Sequence, residues 1–203
     1  MQPTSSRASS LRARSFIGAL HSAGPAADRA DKLKLYGWLI GSWTMDATVY
    51  RDDGSRHRGA GEIHFGWALE GRAIQDVWVL PGVFYGTTLR IYDPGIDAWH
   101  ILWSDPVRQV YTRQIGRAQG ADIVQHGKND AGEAVRWSFT QITPGSFRWT
   151  GERSRDDGKT LQLKTLQLKT LQLKTLQLKT FQLKTWQLKT WELQAEFFAR
   201  RAL

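Results

Sequence analysis

The chain has 203 residues, 41% of them hydrophobic, and no cysteine. That is enough for one domain with its own core, and it excludes disulfides, thiolate metal sites and a cysteine nucleophile. The formal charge of +9 belongs to appendages: removing Lys164, Lys169, Lys174, Lys179, Lys184 and Lys189 of a repeat and Arg7, Arg12 and Arg14 of the N-terminal tail leaves a neutral body, so neither nucleic acid nor membrane is expected as a partner.

Residues 1–27 are rich in Ser, Arg and Ala and read as a disordered tail. The same bias occurs in organelle transit peptides, while the apolar stretch 16–20 is too short for a secretory core of about 7–15 residues. The body follows at 28–158. Residues 28–35 can form a short helix that leads into Tyr36-Gly37-Trp38-Leu39-Ile40, a plug for one end of the domain. From there the sequence alternates apolar and polar residues in short runs. Strands are predicted over 43–51, 57–66, 73–80, 84–92, 97–104, 107–116, 120–127, 133–142, 146–154 and 190–200. Turn chemistry separates them, as in Asp52-Asp53-Gly54, Pro81-Gly82, Asp93-Pro94-Gly95, Lys128-Asn129-Asp130 and Pro144-Gly145. Ten short strands with tight turns imply an all-β, closed, antiparallel up-and-down barrel, since closure removes exposed strand edges.

The last strand is displaced. Residues 159–193 read KTLQL four times, then KTFQL, KTWQL and KTWEL. Joining the turn at Asp157-Gly158 to one unit and the tail gives an ordinary hairpin, DDGKTWELQAEFFARR, so 159–188 read as an insertion and 189–203 as the closing strand. An odd period turns the leucines of successive units to opposite faces of a strand, and on a helix it spreads them around all sides. The insertion is therefore expected to be an arm outside the barrel, with self-association through 159–188 as one possible use.

Gly41-Ser42-Trp43, opening the first strand after a short helix, is similar to the Gly-x-Trp signature of lipocalins and other calycins. LYGWLIGSW, LEGRAIQDVWVLPG and LRIYDPGIDAWHILWSDP, with RWTGERSRDDGKT and WELQAEFFARR, resemble a family of uncharacterised lipocalin-like bacterial proteins. The resemblance implies a barrel with an interior pocket and a tryptophan across its floor. It transfers no catalytic residue and no known ligand.

Eight tryptophans lie outside the repeat, and indoles suit both barrel cores and pockets for flat ligands. Trp78, Trp99, Trp103, Trp137 and Trp149 are candidates for a ligand wall. Alternation puts Trp99, Ile101 and Trp103 on one face, and Ile74, Asp76 and Trp78 on another. Asp76 between apolar neighbours needs a partner, and Arg90, sharing a face with Gly86, Thr88 and Tyr92, is the candidate. The pair would either orient a polar ligand group or tie strands together.

Glu62 and His64, two apart on one strand face, are the sharpest candidates for general acid–base work, with an exposed surface pair as the alternative. His57 and His64 are expected to face opposite ways, and His100 and His126 are isolated, so no metal site is expected. No histidine follows His126, which argues against the haem ligation of one calycin branch. No phosphate loop, dinucleotide fingerprint or nucleophile elbow is present, so no cofactor is expected. The expected function is binding of a small apolar or aromatic molecule, without chemistry, by a cytoplasmic protein. The alternative is a small isomerase or hydrolase using Glu62, His64, Asp76 or Arg90 in the same cavity.

Overall fold

Gly41 begins a run of strands that closes on itself. The computed structural model describes residues 15–155 and 191–202. Strands β2 (Gly41–Tyr50), β3 (Arg56–Ala68), β4 (Ala73–Leu80), β5 (Phe84–Asp93), β6 (Ala98–Asp105), β7 (Val110–Gln119), β8 (Asp122–Lys128), β9 (Ala134–Thr140), β10 (Ser146–Ser154) and β11 (Glu192–Arg201) form an antiparallel meander. Each pairs with the next, and β11 pairs with β2, so ten strands make a closed barrel. All ten predicted strands are present. The alternation that marks them in the sequence is the burial pattern of the wall: along β4, Ile74, Asp76, Trp78 and Leu80 are buried.

The turns do what their residues dictate. At Arg51-Asp52-Asp53-Gly54 the Gly54 amide donates to the Arg51 carbonyl (3.0 Å) and Asp53 accepts from the Ser55 amide (2.8 Å). Several strand boundaries differ from expectation by two or three residues, and two of them have a visible local cause. Residues 107–109 are not in β7, because the Asp105 carboxylate accepts from the amides of Val107 (3.0 Å) and Arg108 (3.1 Å) and folds the segment into a turn. Residues 141 and 142 leave β9 where Gln141 adopts φ 52°.

Helix α2 (Ala30–Gly37), two residues later than predicted, plugs the end at which β2 starts and β11 finishes. Leu33, Tyr36 and Leu39 are fully buried there. The Tyr36 ring meets Trp99 edge-on at 4.9 Å, and Trp38 meets Phe147 at 5.5 Å. Trp43 closes this floor, with its indole N–H donating to the Leu39 carbonyl (2.7 Å).

The N-terminal expectation needs correction over 15–27. Ser15 caps the short helix α1 (Phe16–Leu20), and β1 (His21–Ser22) pairs with Trp67 and Ala68 of β3 outside the closed barrel. This segment clasps the β3–β4 turn: Leu69 donates to the Leu20 carbonyl, Gly71 to the Ser22 hydroxyl, and Ala26 to the Gly71 carbonyl. A two-residue strand has no periodicity to read, which is why the sequence showed only a polar tail. Residues 1–14 and the insertion at 159–188 lie outside the described residues.

β11 begins within the last repeat unit, at Glu192, and runs through Phe197 and Ala199 toward the core. Arg153 lies opposite Glu192, and Gly151 opposite Ala195, with a register shift that leaves Gln194 as the extra residue of a bulge. The closing strand therefore sits between β10 and β2, as the hairpin reading required.

Candidate functional site

The plug fills only one end. At the other, where β2–β3, β4–β5, β6–β7, β8–β9 and β10–β11 connect, lies a cavity of about 320 Å³. Its inner wall is aromatic: Trp78, Phe84, Trp103, Trp137, Trp149 and Phe197. These rings form a closed circuit. Trp103 meets Trp137 at 6.2 Å, Trp137 meets Trp149 at 5.5 Å, and Trp149 stacks on Phe197 at 4.8 Å with only 8° between planes. Phe197 then meets Phe84 at 5.8 Å, and Phe84 returns to Trp103 at 6.3 Å. Trp78 leans on both Trp149 and Phe197.

Glycines make room for this collar. A Cβ at Gly86 would overlap the Trp103 ring, and one at Gly151 would lie 2.7 Å from Trp149 Cη2. Each indole thus folds flat over a bare backbone on the neighbouring or same strand, and large rings fit inside a narrow barrel.

Beneath the collar the floor is polar. Arg90 forms a buried ion pair with Asp76 through Nη1, and Asp76 accepts a second hydrogen bond from the Thr88 amide (2.7 Å). The guanidinium also faces the rings of Tyr36, Phe65 and Phe139 at 5.5–5.8 Å. Arg90 reaches the cavity lining, whereas Asp76 does not. The pairing expected from alternation is present, and its geometry ties β4 to β5.

Below Arg90, the Gln125 amide donates to the Tyr36 hydroxyl (3.0 Å). Burial pushes the Tyr36 phenol up to about 12, with Arg90 and the Gln125 hydrogen bond opposing the shift. This hydroxyl therefore stays protonated and neutral at physiological pH.

Of the tryptophans nominated from sequence, Trp78, Trp103, Trp137 and Trp149 line the cavity. Trp99 does not, because the plug's Tyr36 occupies its end of the barrel. Glu62 and His64 lie outside the cavity altogether. They flank the buried Ile63 on the outer wall, 3.6 Å apart with half-exposed side chains, and His64 also contacts the Ser42 hydroxyl (2.9 Å). His100 is bound to Asp93 (3.0 Å), and neither it nor His126 lines the cavity. Among the described residues no group of three or more His, Asp or Glu could hold a metal ion, and no helix is long and apolar enough to cross a membrane.

Sequence reasoning missed Phe84, Thr112 and Phe197 as lining residues. Phe84 and Phe197 carried a signal, the period-two pattern of their strands, while Thr112 depended on the correct start of β7. At the rim, Arg153 bridges Asp52 (2.6 Å) and Glu192 (3.1 Å), and Arg136 pairs with Glu152 (2.8 Å), which fastens both sides of the β10–β11 opening.

The fold and site define a class: a closed ten-stranded antiparallel barrel, plugged at one end, with an aromatic-lined internal cavity at the other. No protein-family model matches the chain, and no curated protein matches it.

Proposed function

We propose that the protein binds a small, flat apolar or aromatic molecule in this cavity, without chemistry. The observation that carries the proposal is the closed circuit of five aromatic rings around about 320 Å³. That volume lies at the lower end of the roughly 300–1,000 Å³ of ligand sites. A core built only for stability would fill the space, since interiors are close-packed.

Chemistry in the same cavity has little to work with. Asp76 is committed to Arg90, and Glu62 and His64 are on the outer wall. The floor formed by Trp43 behind Gly41 supports a lipocalin-like assignment, and the absence of cysteine supports a cytoplasmic setting.

Titration with N-phenyl-1-naphthylamine, a neutral dye that brightens in apolar surroundings, tests the proposal. Saturable brightening with quenching of tryptophan emission is expected. Ala195→Trp, which fills the cavity from β11, should abolish both, and Trp103→Ala should weaken them. Equal brightening by the wild type and Ala195→Trp would remove the cavity as the site.

A further inference from the structure

The unpartnered buried polar atoms of the cavity-lining residues are all able to donate. Trp78 Nε1, Arg90 Nε and Thr112 Oγ1 all belong to lining residues, and none of the three has a hydrogen-bond partner among the described residues. Indole and guanidinium nitrogens only donate, and a hydroxyl is able to donate. All three atoms are closed to water, so the lining residues hold unmatched donors that an acceptor seated against the floor would satisfy.

Charge decides which acceptor suits them. Arg90 is already neutralised by Asp76, and the two side chains are 2% and 0% exposed. A carboxylate carried to that depth would be a second anion with no counter-ion of its own, losing its hydration without a matching Coulombic gain. A carbonyl oxygen accepts the same hydrogen bonds with no charge to bury. Arg108 offers a cation at the rim, but it is exposed, and ion pairs in water contribute little.

Resting on the ligand-binding proposal above, we infer that the cavity selects a neutral, planar aromatic molecule bearing a carbonyl oxygen. The oxygen enters first, toward Trp78 and Arg90, and the ring system remains in the collar. The collar supplies affinity through area, and the donors supply orientation and the choice between ligands of equal size.

Displacement of N-phenyl-1-naphthylamine by three bicyclic probes at pH 7 tests this: coumarin, with a neutral carbonyl; naphthalene, with no acceptor; and 2-naphthoate, with a charge. Coumarin should bind about tenfold more tightly than naphthalene, as one added buried hydrogen bond allows, and 2-naphthoate no more tightly than naphthalene. Trp78→Phe keeps a ring and removes the N–H, so it should cut coumarin's advantage over naphthalene to about threefold or less, whatever the smaller ring costs both ligands in common. Thr112→Val is the near-isosteric second variant and carries the comparison if Trp78→Phe does not fold.

Tightest binding by 2-naphthoate overturns the inference, as does naphthalene binding equal to coumarin, or an advantage that survives in both variants. If neither the dye nor any probe binds, the ligand-binding proposal falls as well.

Discussion

Arg201, in the last barrel strand, holds its guanidinium carbon 4.2 Å from the centre of the Trp43 ring in the first. The same group donates to the carbonyls of Trp38 (2.7 Å), Ile40 (2.8 Å) and Pro144 (3.1 Å), so one side chain joins the plug, β2 and the β9–β10 turn. Gly41 permits the approach: its φ is 122°, and a Cβ there would lie 2.9 Å from Arg201 Nη1. Arg201→Ala should lower stability by about 2 kcal/mol in urea unfolding, from the lost ring contact and charged hydrogen bonds. Arg201→Lys should recover less than half, since a single ammonium cannot span three carbonyls.

Removing one member of the Asp76–Arg90 pair strands the other. Asp76→Ala should cost about 3–5 kcal/mol, whereas Asp76→Leu with Arg90→Met should fold with stability near the wild type. Urea midpoints of the single and double variants give the comparison. A double variant as unstable as the single one would mean that the aromatic faces around Arg90 contribute more than the ion pair.

Alkaline stability should track Tyr36. Its folded pKa of about 12 lies above the ordinary phenol value of 10.0, so its contribution is complete below pH 10 and is lost as pH rises from 10 to 12. Tyr36→Phe should lower stability at neutral pH through the Gln125 hydrogen bond and flatten this part of the profile. The difference between wild type and variant, followed by chemical unfolding from pH 8 to 12, isolates Tyr36 from the other groups that titrate there.

Deleting residues 159–188 should leave the barrel folded and raise its stability by about 1–2 kcal/mol, the entropy of closing a shorter loop. β10 and β11 pair right up to Arg153 and Glu192, so the shortened chain has only to form a hairpin. Thermal unfolding with size-exclusion chromatography reads both stability and self-association. Loss of folding would show that the repeat is required by the domain.

The barrel was legible because each strand carries its own inside-outside pattern. Trp99-His100-Ile101 alternates buried and half-buried in the sequence order that burial imposes. The Asp76–Arg90 pair followed from the same rule, since a carboxylate between Ile74 and Trp78 had to find a cation. Alternation also put Glu62 and His64 together on one face, but alternation alone does not say whether that face is the inner or the outer one. The buried Ile63 between them decides for outward. What the pattern could not show was depth along the barrel axis. Trp99 and Trp103 share a face, yet one packs on the plug and the other on the cavity, a difference fixed by how far α2 enters. The Arg201 contacts were likewise unreadable, because they join residues distant in sequence through backbone carbonyls.

The ladder on both sides of β11 has a genetic consequence. Ala195 to Arg200 are matched to β2 as well as to β10, so the register of the closing strand is set by its neighbours and not by the length of chain that precedes it. Five residues gained inside any strand would turn its core side chains to the solvent. The same five gained between Ser154 and Glu192 alter no pairing, which leaves copying slippage free to change the number of units there while the barrel's interior is inherited unchanged.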